Sequence, residues 1–460
     1  MDAFKTGKFI REQRKKLGLS QLKLAEMLYV EPQTISKWER GLGLPDYDNV
    51  ERLKEIFGCS LSDILEPVET GEEFLEVEEK DEEKSTNLPV LVKVLNEEGN
   101  GKKKKFSLFD FINKKKIKET VGRIFGYEYE STYNEKFLFK NVMKKRSRDD
   151  FESTVTQGMF KGKSHHTVIG IEAPWLYMRV FFFMLVCTAI SLVYTIATYD
   201  PMAFILVGGL CAVVPLMVFL FETNYARNLT ILDVGKLFLI GGLFSLILTM
   251  ILHTPFSYAG EVISAVLLAP VLEELAKAII VIFFVAKIKP KNMLTGLLIG
   301  FCIGAGFDAF ESFGYAFFSY LTEFFFNDGD YAIATVSSIG TIFVRTASSF
   351  FSGHHYFTAI FGAIYVLFKK DTYFKLKDLC QWKVLCGYLI PVLLHMTWNA
   401  STFIESSFVC SSVQALVCVA CVLSLIFLIN IGINQTRVME IYENYQSPNQ
   451  NDEIIYTTVE

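Results

Sequence analysis

Paired cysteine spacing and an even spread of charge are missing from these 460 residues, and no cleavable leader is expected. The cysteines (Cys59, Cys187, Cys211, Cys302, Cys380, Cys386, Cys410, Cys418 and Cys421) lie mostly inside apolar runs. Such placement argues against a disulfide framework and against a cysteine-type zinc site. The opening MDAFKTGKFIREQRKK has no apolar core before a small-residue cleavage site, so the N-terminus is expected to stay in the cytoplasm. Charged residues make up only 21% of the chain, and the mean hydropathy of +0.32 is too high for one soluble globular enzyme. What charge there is crowds into the first 165 residues, while long stretches after Trp175 carry almost none. A soluble part therefore precedes a membrane part, and the net charge of -5 averages over the two.

The predicted fold is all-α, with a small five-helix domain over residues 1–66, a connector over 67–172, a polytopic bundle over 173–435 and a tail over 436–460. Near the N-terminus, Phe9, Ile10 and Leu17 share a helical face, and LGLSQLKLAEMLYVEPQTISKWERGLGLP reads as helix, tight turn, helix. Ser20 suits an N-cap, Leu24, Ala25 and Leu28 a buried face, and Val30 the turn before Pro32 opens the next helix. Ile35, Trp38 and Glu39 would hold that helix down. The pattern S-x-x-x-L-A with I-S-x-W-E-x-G resembles the Cro/repressor-type helix-turn-helix family. The resemblance implies DNA binding, with Pro32, Gln33, Thr34 and Lys37 on the exposed side of a recognition helix and Gln21 and Arg40 on phosphate. One such domain reads a short half-site, so tight binding would require a homodimer.

From Glu69 to Lys84 nine acidic residues and two lysines make a solvated run, expected to be a flexible tether. Basic clusters at Lys102–Lys105, Lys114–Lys116 and Lys144–Arg148 stand beside Phe106, Phe109 and Phe111 and near a membrane segment, which suits anionic lipid better than nucleic acid. His165 and His166 read as solvated.

Apolar windows at about 175–197, 202–221, 235–252, 261–286, 294–318, 346–368, 384–404 and 408–432 predict about eight transmembrane helices. Residues 331–345 read as a short extra apolar segment at the outer surface. With the N-terminus inside, Arg227, Lys287, Lys289, Lys291, Lys369, Lys370, Lys375, Lys377 and Lys383 fall in cytoplasmic loops. Outside fall Arg345 and the acidic Glu323, Asp328, Asp330 and Glu405. This asymmetry predicts a multi-pass protein of the cell membrane with the C-terminal tail also cytoplasmic.

Ionisable groups inside hydrocarbon are costly and ask for a reason. Here they are few and clustered: Glu273, Glu274 and Lys277 in APVLEELAKA, Asp308 and Glu311 in GFDAFESFGY, His354 and His355 in SGHHYFTAIFG, His395 and Asn399 in PVLLHMTWNA. At about 1.5 Å per residue, Glu273 lies roughly 18 Å, Glu311 roughly 10 Å, His354 roughly 12 Å and His395 roughly 14 Å below the predicted outer helix ends. Four antiparallel helices thus deliver two carboxylates and two imidazoles to one layer. Neighbouring Glu273 and Glu274 point about 100° apart, so one can face a cavity while the other braces a neighbouring helix or Lys277. Such a set can deprotonate water directly or through a divalent metal.

EELAK, the F-x-x-x-E of Phe307 to Glu311, the H-x-x-x-T-x-x-x-G of His354 to Gly362 and the H-x-x-x-N of His395 to Asn399 resemble the four motifs of the PrsW family of intramembrane proteases. That family is similar in plan to the CPBP/Abi membrane proteases, which include the CaaX-processing enzymes. The resemblance covers roughly residues 235–435, with Ser312 where the family often has asparagine. It implies an intramembrane endopeptidase acting on a membrane-anchored protein, for instance an anti-sigma-like regulator or the chain itself. It further implies Glu273 and Glu274 as the water-activating pair, with Glu311, His354 and His395 completing the site and Asn399 as an oxyanion donor. Glu311, His354 and His395 also match a zinc triad in type, so a divalent metal such as zinc and a glutamate-activated water both stay open.

Other residues have plainer readings. Glu273 with Lys277 would also suit a structural ion pair, His355 faces lipid or packing, Asp308 meets the cytoplasm-side helices, and His253 sits in an outer loop. Arg345 either anchors the interface or braces a catalytic carboxylate. Two other functions fit the same polar cluster: a non-catalytic membrane-bound transcription regulator that senses a ligand, and a proton-coupled transporter. The transporter would favour internal repeats with interrupted helices, and the sequence shows no persuasive repeat.

Overall fold

The computed structural model describes residues 3–64 except 18, 29, 31, 42, 46 and 60–62, then 122, 124–125, 135–159 except 141, and 173–446 except 257, 259 and 370–374. The acidic run at 69–84, the lysine clusters at 102–105 and 114–116, His165, His166 and the end of the tail lie outside these residues. Among the described residues every regular element is helical, and the chain divides into two units.

The first unit contains α1 (Ala3–Lys16), α2 (Gln21–Leu28), α3 (Pro32–Glu39) and α4 (Tyr47–Phe57), with Asp63 and Ile64 helical where a fifth helix is expected. Basic Arg14, Lys15 and Lys16 end α1, where cations complement the helix dipole. Ser20 caps α2, its hydroxyl accepting from Lys23 N–H at 3.0 Å. Ile10, Leu24, Ala25, Leu28, Ile35, Trp38, Val50, Leu53 and Ile64 are buried together. Each large one removes enough apolar surface from water to contribute roughly 2 kcal/mol. Leu17 departs from expectation: it stands 48% exposed just past the end of α1, because the chain has already turned away from the core face. Glu39 is buried and pins three segments, taking Arg14 Nε at 2.5 Å, Arg14 Nη2 at 3.2 Å and Gln21 Nε2 at 2.7 Å.

The second unit begins with the short α5 (Glu135–Leu138) and α6 (Arg148–Val155). There follow α7 (Leu176–Thr198), α8 (Met202–Leu210), α9 (Val213–Thr223), α10 (Ile231–Lys236), a π-helical stretch Leu237–Gly241 and α11 (Gly242–His253). Then come α12 (Glu261–Ile263), a second π-helical stretch Ser264–Leu268, α13 (Ala269–Ile288), α14 (Met293–Phe326), α15 (Tyr331–Ser349), α16 (His354–Phe368), α17 (Leu376–Leu379), α18 (Trp382–Ser401) and α19 (Ser407–Gln446). Among the described residues, six stretches are long and apolar enough to cross a membrane: 176–198, 202–223, 231–256, 293–326, 382–401 and 407–439.

Two of the eight expected windows are built differently. The window at 261–286 is α12, a π-helical stretch and α13 in succession, with Glu273, Glu274 and Lys277 inside it. The window at 346–368 is not one helix. It is the end of α15 and all of α16, separated by residues 350–353, and the apolar segment at 331–345 is the body of α15. Gly353 makes the break sharp, with φ 141°, a backbone conformation that residues with a side chain rarely adopt, and a Cβ there would crowd the His355 ring at 3.0 Å. His253 ends α11 rather than occupying a loop.

The centre of the unit is α14, most of whose first half is fully buried. It packs on α16 through Gly296, Gly300 and Gly304, where a Cβ would come within 2.5, 2.2 and 2.4 Å of the carbonyls of Gly362, Thr358 and His354. Glycine at every fourth position lets the two backbones touch, as is common for helices in lipid, and this contact sets the height of His354.

Candidate active site in the membrane unit

Five helices bring polar residues to one cavity of about 190 Å³, lined by Glu273, Asp308, Glu311, Arg345, His354, His395 and Asn399 among others. Glu273 and Glu274 follow one another on α13 and therefore point apart. Glu274 turns away from the cavity and is nearly sealed: Lys277 Nζ lies 2.8 Å and His395 Nδ1 3.1 Å from its Oε1. Glu273 turns to the cavity, 3.8 Å from Lys277, 3.7 Å from His354 Nδ1 and 4.0 Å from His395 Nε2. Its Oε2 is buried and has no hydrogen-bond partner. Lys277 thus belongs chiefly to Glu274, and the pairing of Glu273 with Lys277 is the looser one.

Lys277 is completely buried. Besides Glu274 it meets His354 Nδ1 at 2.7 Å and sits 4.3 Å from the centre of the Phe307 ring. An ammonium can only donate, so Nδ1 of His354 accepts and its Nε2 carries the proton. That Nε2 donates to Glu311 Oε2 at 3.0 Å. Glu311 also takes Arg345 Nη2 at 2.5 Å, and Arg345 Nε donates to Ser312 Oγ at 2.8 Å. Of the two readings of Arg345, the structure gives the brace. Ser312 has a use at this position: it accepts from the guanidinium that holds Glu311. Tyr315, one turn on, lies under the same guanidinium at 4.6 Å.

Asp308 lines the cavity, whereas its place in the sequence suggests contact with the cytoplasm-side helices. Of the two places expected for His355, lipid or packing, it takes the packed one: it is fully buried, with Nε2 2.9 Å from the Ser349 carbonyl and Nδ1 3.3 Å from Asp308. Asp308 also accepts from Ser349 Oγ at 2.8 Å. The pair ties α14 to both sides of the break at 350–353, directly beside His354. The i, i+3 spacing of Asp308 and Glu311 was the available signal, since it puts both on one face of α14. Asn399 lines the cavity, but one N–H of its amide donates to the Ala265 carbonyl at 2.8 Å. That carbonyl belongs to the π-helical stretch before α13, where the normal ladder is interrupted.

Ligand atoms of Glu273, His354 and His395 lie within 4.8 Å of one another, as do those of Asp308, Glu311 and His354. The cavity-facing carboxylate that groups with both imidazoles is therefore Glu273, while Glu311 groups with His354 and Asp308. The donor set fits a divalent cation in type: two imidazoles and a carboxylate with an orphaned, buried oxygen.

In the first unit, α3 carries the expected DNA-reading residues. Lys37 and Arg40 are exposed and Thr34 is half-buried, while Pro32 and Gln33 lie in the helix with side chains outside the described set. Arg40 Nε returns to the Ser36 carbonyl at 3.1 Å, and Gln21 gives its amide to Glu39.

Residues 10–64 match the helix-turn-helix family model. A curated relative, the HTH-type transcriptional activator BcrR of Enterococcus faecalis, is 36% identical over 62 residues, which are 14% of this chain. The matched stretch spans only 28% of that activator's length. No solved structure matches the chain. Residues 200–429 match the family model described as PrsW family intramembrane metalloprotease, and they contain every polar residue of the cavity. The chain is a member of the PrsW family, with a helix-turn-helix domain ahead of its membrane unit.

Proposed function

We propose that the membrane unit is an endopeptidase that hydrolyses a peptide bond of a membrane-anchored protein. The observation that carries this reading is the buried, unpartnered Oε2 of Glu273 beside two imidazoles at the wall of a polar cavity. Glu273, His354 and His395 would hold a divalent cation, which when bound supplies Lewis acidity toward water and the scissile carbonyl. Lys277 donates to His354 Nδ1, so ammonium and cation draw on the same lone pair.

The chain's own groups divide the remaining work. Glu311 and Glu274 fix the two rings through their other nitrogens, the arrangement that orients imidazole ligands. Glu273 Oε1 takes the proton of the attacking water and returns it to the leaving amide nitrogen. Asn399 directs its second N–H at the developing oxyanion, with its first held by Ala265. Lys277 offsets the charge of the adjacent carboxylates.

The first unit binds DNA through α3, with Gln33, Thr34 and Lys37 at base edges and Gln21 and Arg40 at phosphate, as a homodimer. The N-terminal domain and C-terminal tail are cytoplasmic. The substrate is a membrane-anchored regulator of the anti-sigma kind, or the chain itself, in which case cleavage releases the DNA-binding unit. Reconstituting the full chain with a candidate membrane substrate tests the peptidase reading: Glu273→Gln and His395→Ala should abolish cleavage. Undiminished cleavage by both would replace it with a ligand-sensing regulator. Immunoblotting for the N-terminal domain tests self-release. If wild type and Glu274→Gln both keep a full-length band under every stress, release does not occur.

A further inference from the structure

Residues 135–159, apart from 141, take no part in the cavity, yet they are tied to the membrane helices. Tyr177 OH donates to the Leu138 carbonyl at 2.9 Å, Arg179 Nη2 to the Lys144 carbonyl at 3.0 Å, and Gln157 Nε2 to the Phe221 carbonyl at 2.8 Å. Val142 is buried. The segment is thereby held against the start of α7 and the end of α9. Since α7 is the least buried of the six apolar stretches, its first turn marks a membrane boundary. Glu222 of α9 fixes that turn by accepting the backbone N–H groups of Trp175, Leu176 and Tyr177 at 2.9 Å each.

At this level the turn between α5 and α6 displays a mixed surface. Phe139 is 62% and Met143 86% exposed, and between and beside them stand exposed Lys140, Lys144 and Lys145. Behind them Trp175 is buried against two guanidiniums, Arg146 at 5.2 Å and Arg179 at 4.6 Å from its ring centre. Arg146 Nε is itself buried and has no hydrogen-bond partner. The acidic side chains that follow are largely engaged nearby: Asp150 in a capping box with Ser147, and Glu152 with Arg148 at 2.6 Å; Asp149 is exposed.

We propose that Phe139, Lys140 and residues 142–146 form a docking element for an anionic phospholipid leaflet. Phe139 and Met143 enter the acyl boundary, Lys140, Lys144 and Lys145 meet the negative headgroup layer, and the half-buried Arg146 adds its charge from behind them. Nucleic acid would satisfy the lysines equally well but has no use for a methionine and a phenylalanine extended among them, whereas the hydrocarbon boundary does. The element fixes the point at which the chain enters the bilayer, independently of the peptidase reading.

Native mass spectrometry of the full-length protein in detergent, with equal phosphatidylglycerol and phosphatidylcholine added, tests the assignment. Wild type should retain phosphatidylglycerol preferentially. Lys144→Ala/Lys145→Ala, both at exposed positions that cannot disturb folding, should lower that preference roughly tenfold, and Arg146→Gln about threefold. Lys287→Ala/Lys291→Ala, an equal charge change at the end of α13 and the turn after it, should leave it unchanged, and millimolar inorganic phosphate should not displace the lipid. The proposal is overturned if the 144/145 pair behaves like the 287/291 pair, or if phosphate displaces the lipid and so identifies a free-phosphate site.

Discussion

Glu274 and His395, on helices far apart in sequence, meet at 3.1 Å, while Glu273, one residue earlier, reaches neither ring within hydrogen-bond distance. Two adjacent carboxylates thus differ in task. Glu273→Gln should reduce cleavage on the order of 10³-fold with little change in thermal stability, because its Oε2 has no hydrogen bond to lose. Glu274→Gln should cost roughly 10–100-fold and also lower the melting temperature, since it leaves Lys277 buried with a weaker partner. Parallel activity and melting measurements distinguish them; equal melting shifts would sink the division.

Metal content separates the donors from their braces. His395→Ala should lose bound divalent metal after purification, and chelator should silence wild type with recovery on adding the metal back. Glu311→Gln should retain more metal than His395→Ala, as it leaves an amide to accept from His354 Nε2. Elemental analysis by mass spectrometry reads all three.

Arg345 holds Glu311 with one nitrogen and Ser312 with another. Arg345→Lys keeps the charge and loses the fork, so kcat should fall about tenfold with KM nearly constant. Ser312→Ala should cost less, because it deletes a single hydrogen bond of about 1 kcal/mol. A change confined to KM in both variants would place Arg345 on substrate rather than on Glu311.

Gly300 faces the Thr358 carbonyl at a distance where no side chain fits. Gly300→Leu should force α14 and α16 apart, abolish activity and make the protein aggregate on detergent extraction, while Gly314→Ala, in open space on the same helix, should be neutral. Size-exclusion profiles of the two variants check this.

In the first unit, Glu39→Ala leaves Arg14 buried without its partner and should destabilise the domain by about 3 kcal/mol. Cys59 reports it. Burial, with help from Asp63, pushes this thiol up to about 11 from its ordinary 9.0, so at pH 8 it is a poor nucleophile while folded. The sign follows: the raised value means that stability is full below pH 9.0 and is lost as pH climbs toward about 11. Peptide-level alkylation at Cys59 should therefore quicken in Glu39→Ala at pH 8, and in wild type only above pH 9.0.

Much of this was legible beforehand because membranes and helix-turn-helix cores both impose simple periodicities. A charge in hydrocarbon stands out in any sequence, and Glu273, Glu311, His354 and His395 were found that way. The i, i+1 offset alone separated Glu273 from Glu274. Local composition also sufficed for the buried set of the first unit, from Leu24 to Trp38, whereas Leu17 failed because a helical face says nothing about where the helix stops.

What the order of residues determined, then, was the cast: which side chains are polar within apolar helices and which faces must be covered. Only the folded bundle decided their partners. The break at 350–353, the turn of Arg345 toward Glu311 instead of lipid, and the inward position of His355 depend on contacts between helices distant in sequence. Hydropathy averages over a window and so cannot see a four-residue interruption, and a single helix's periodicity cannot tell which neighbour its charged face will meet.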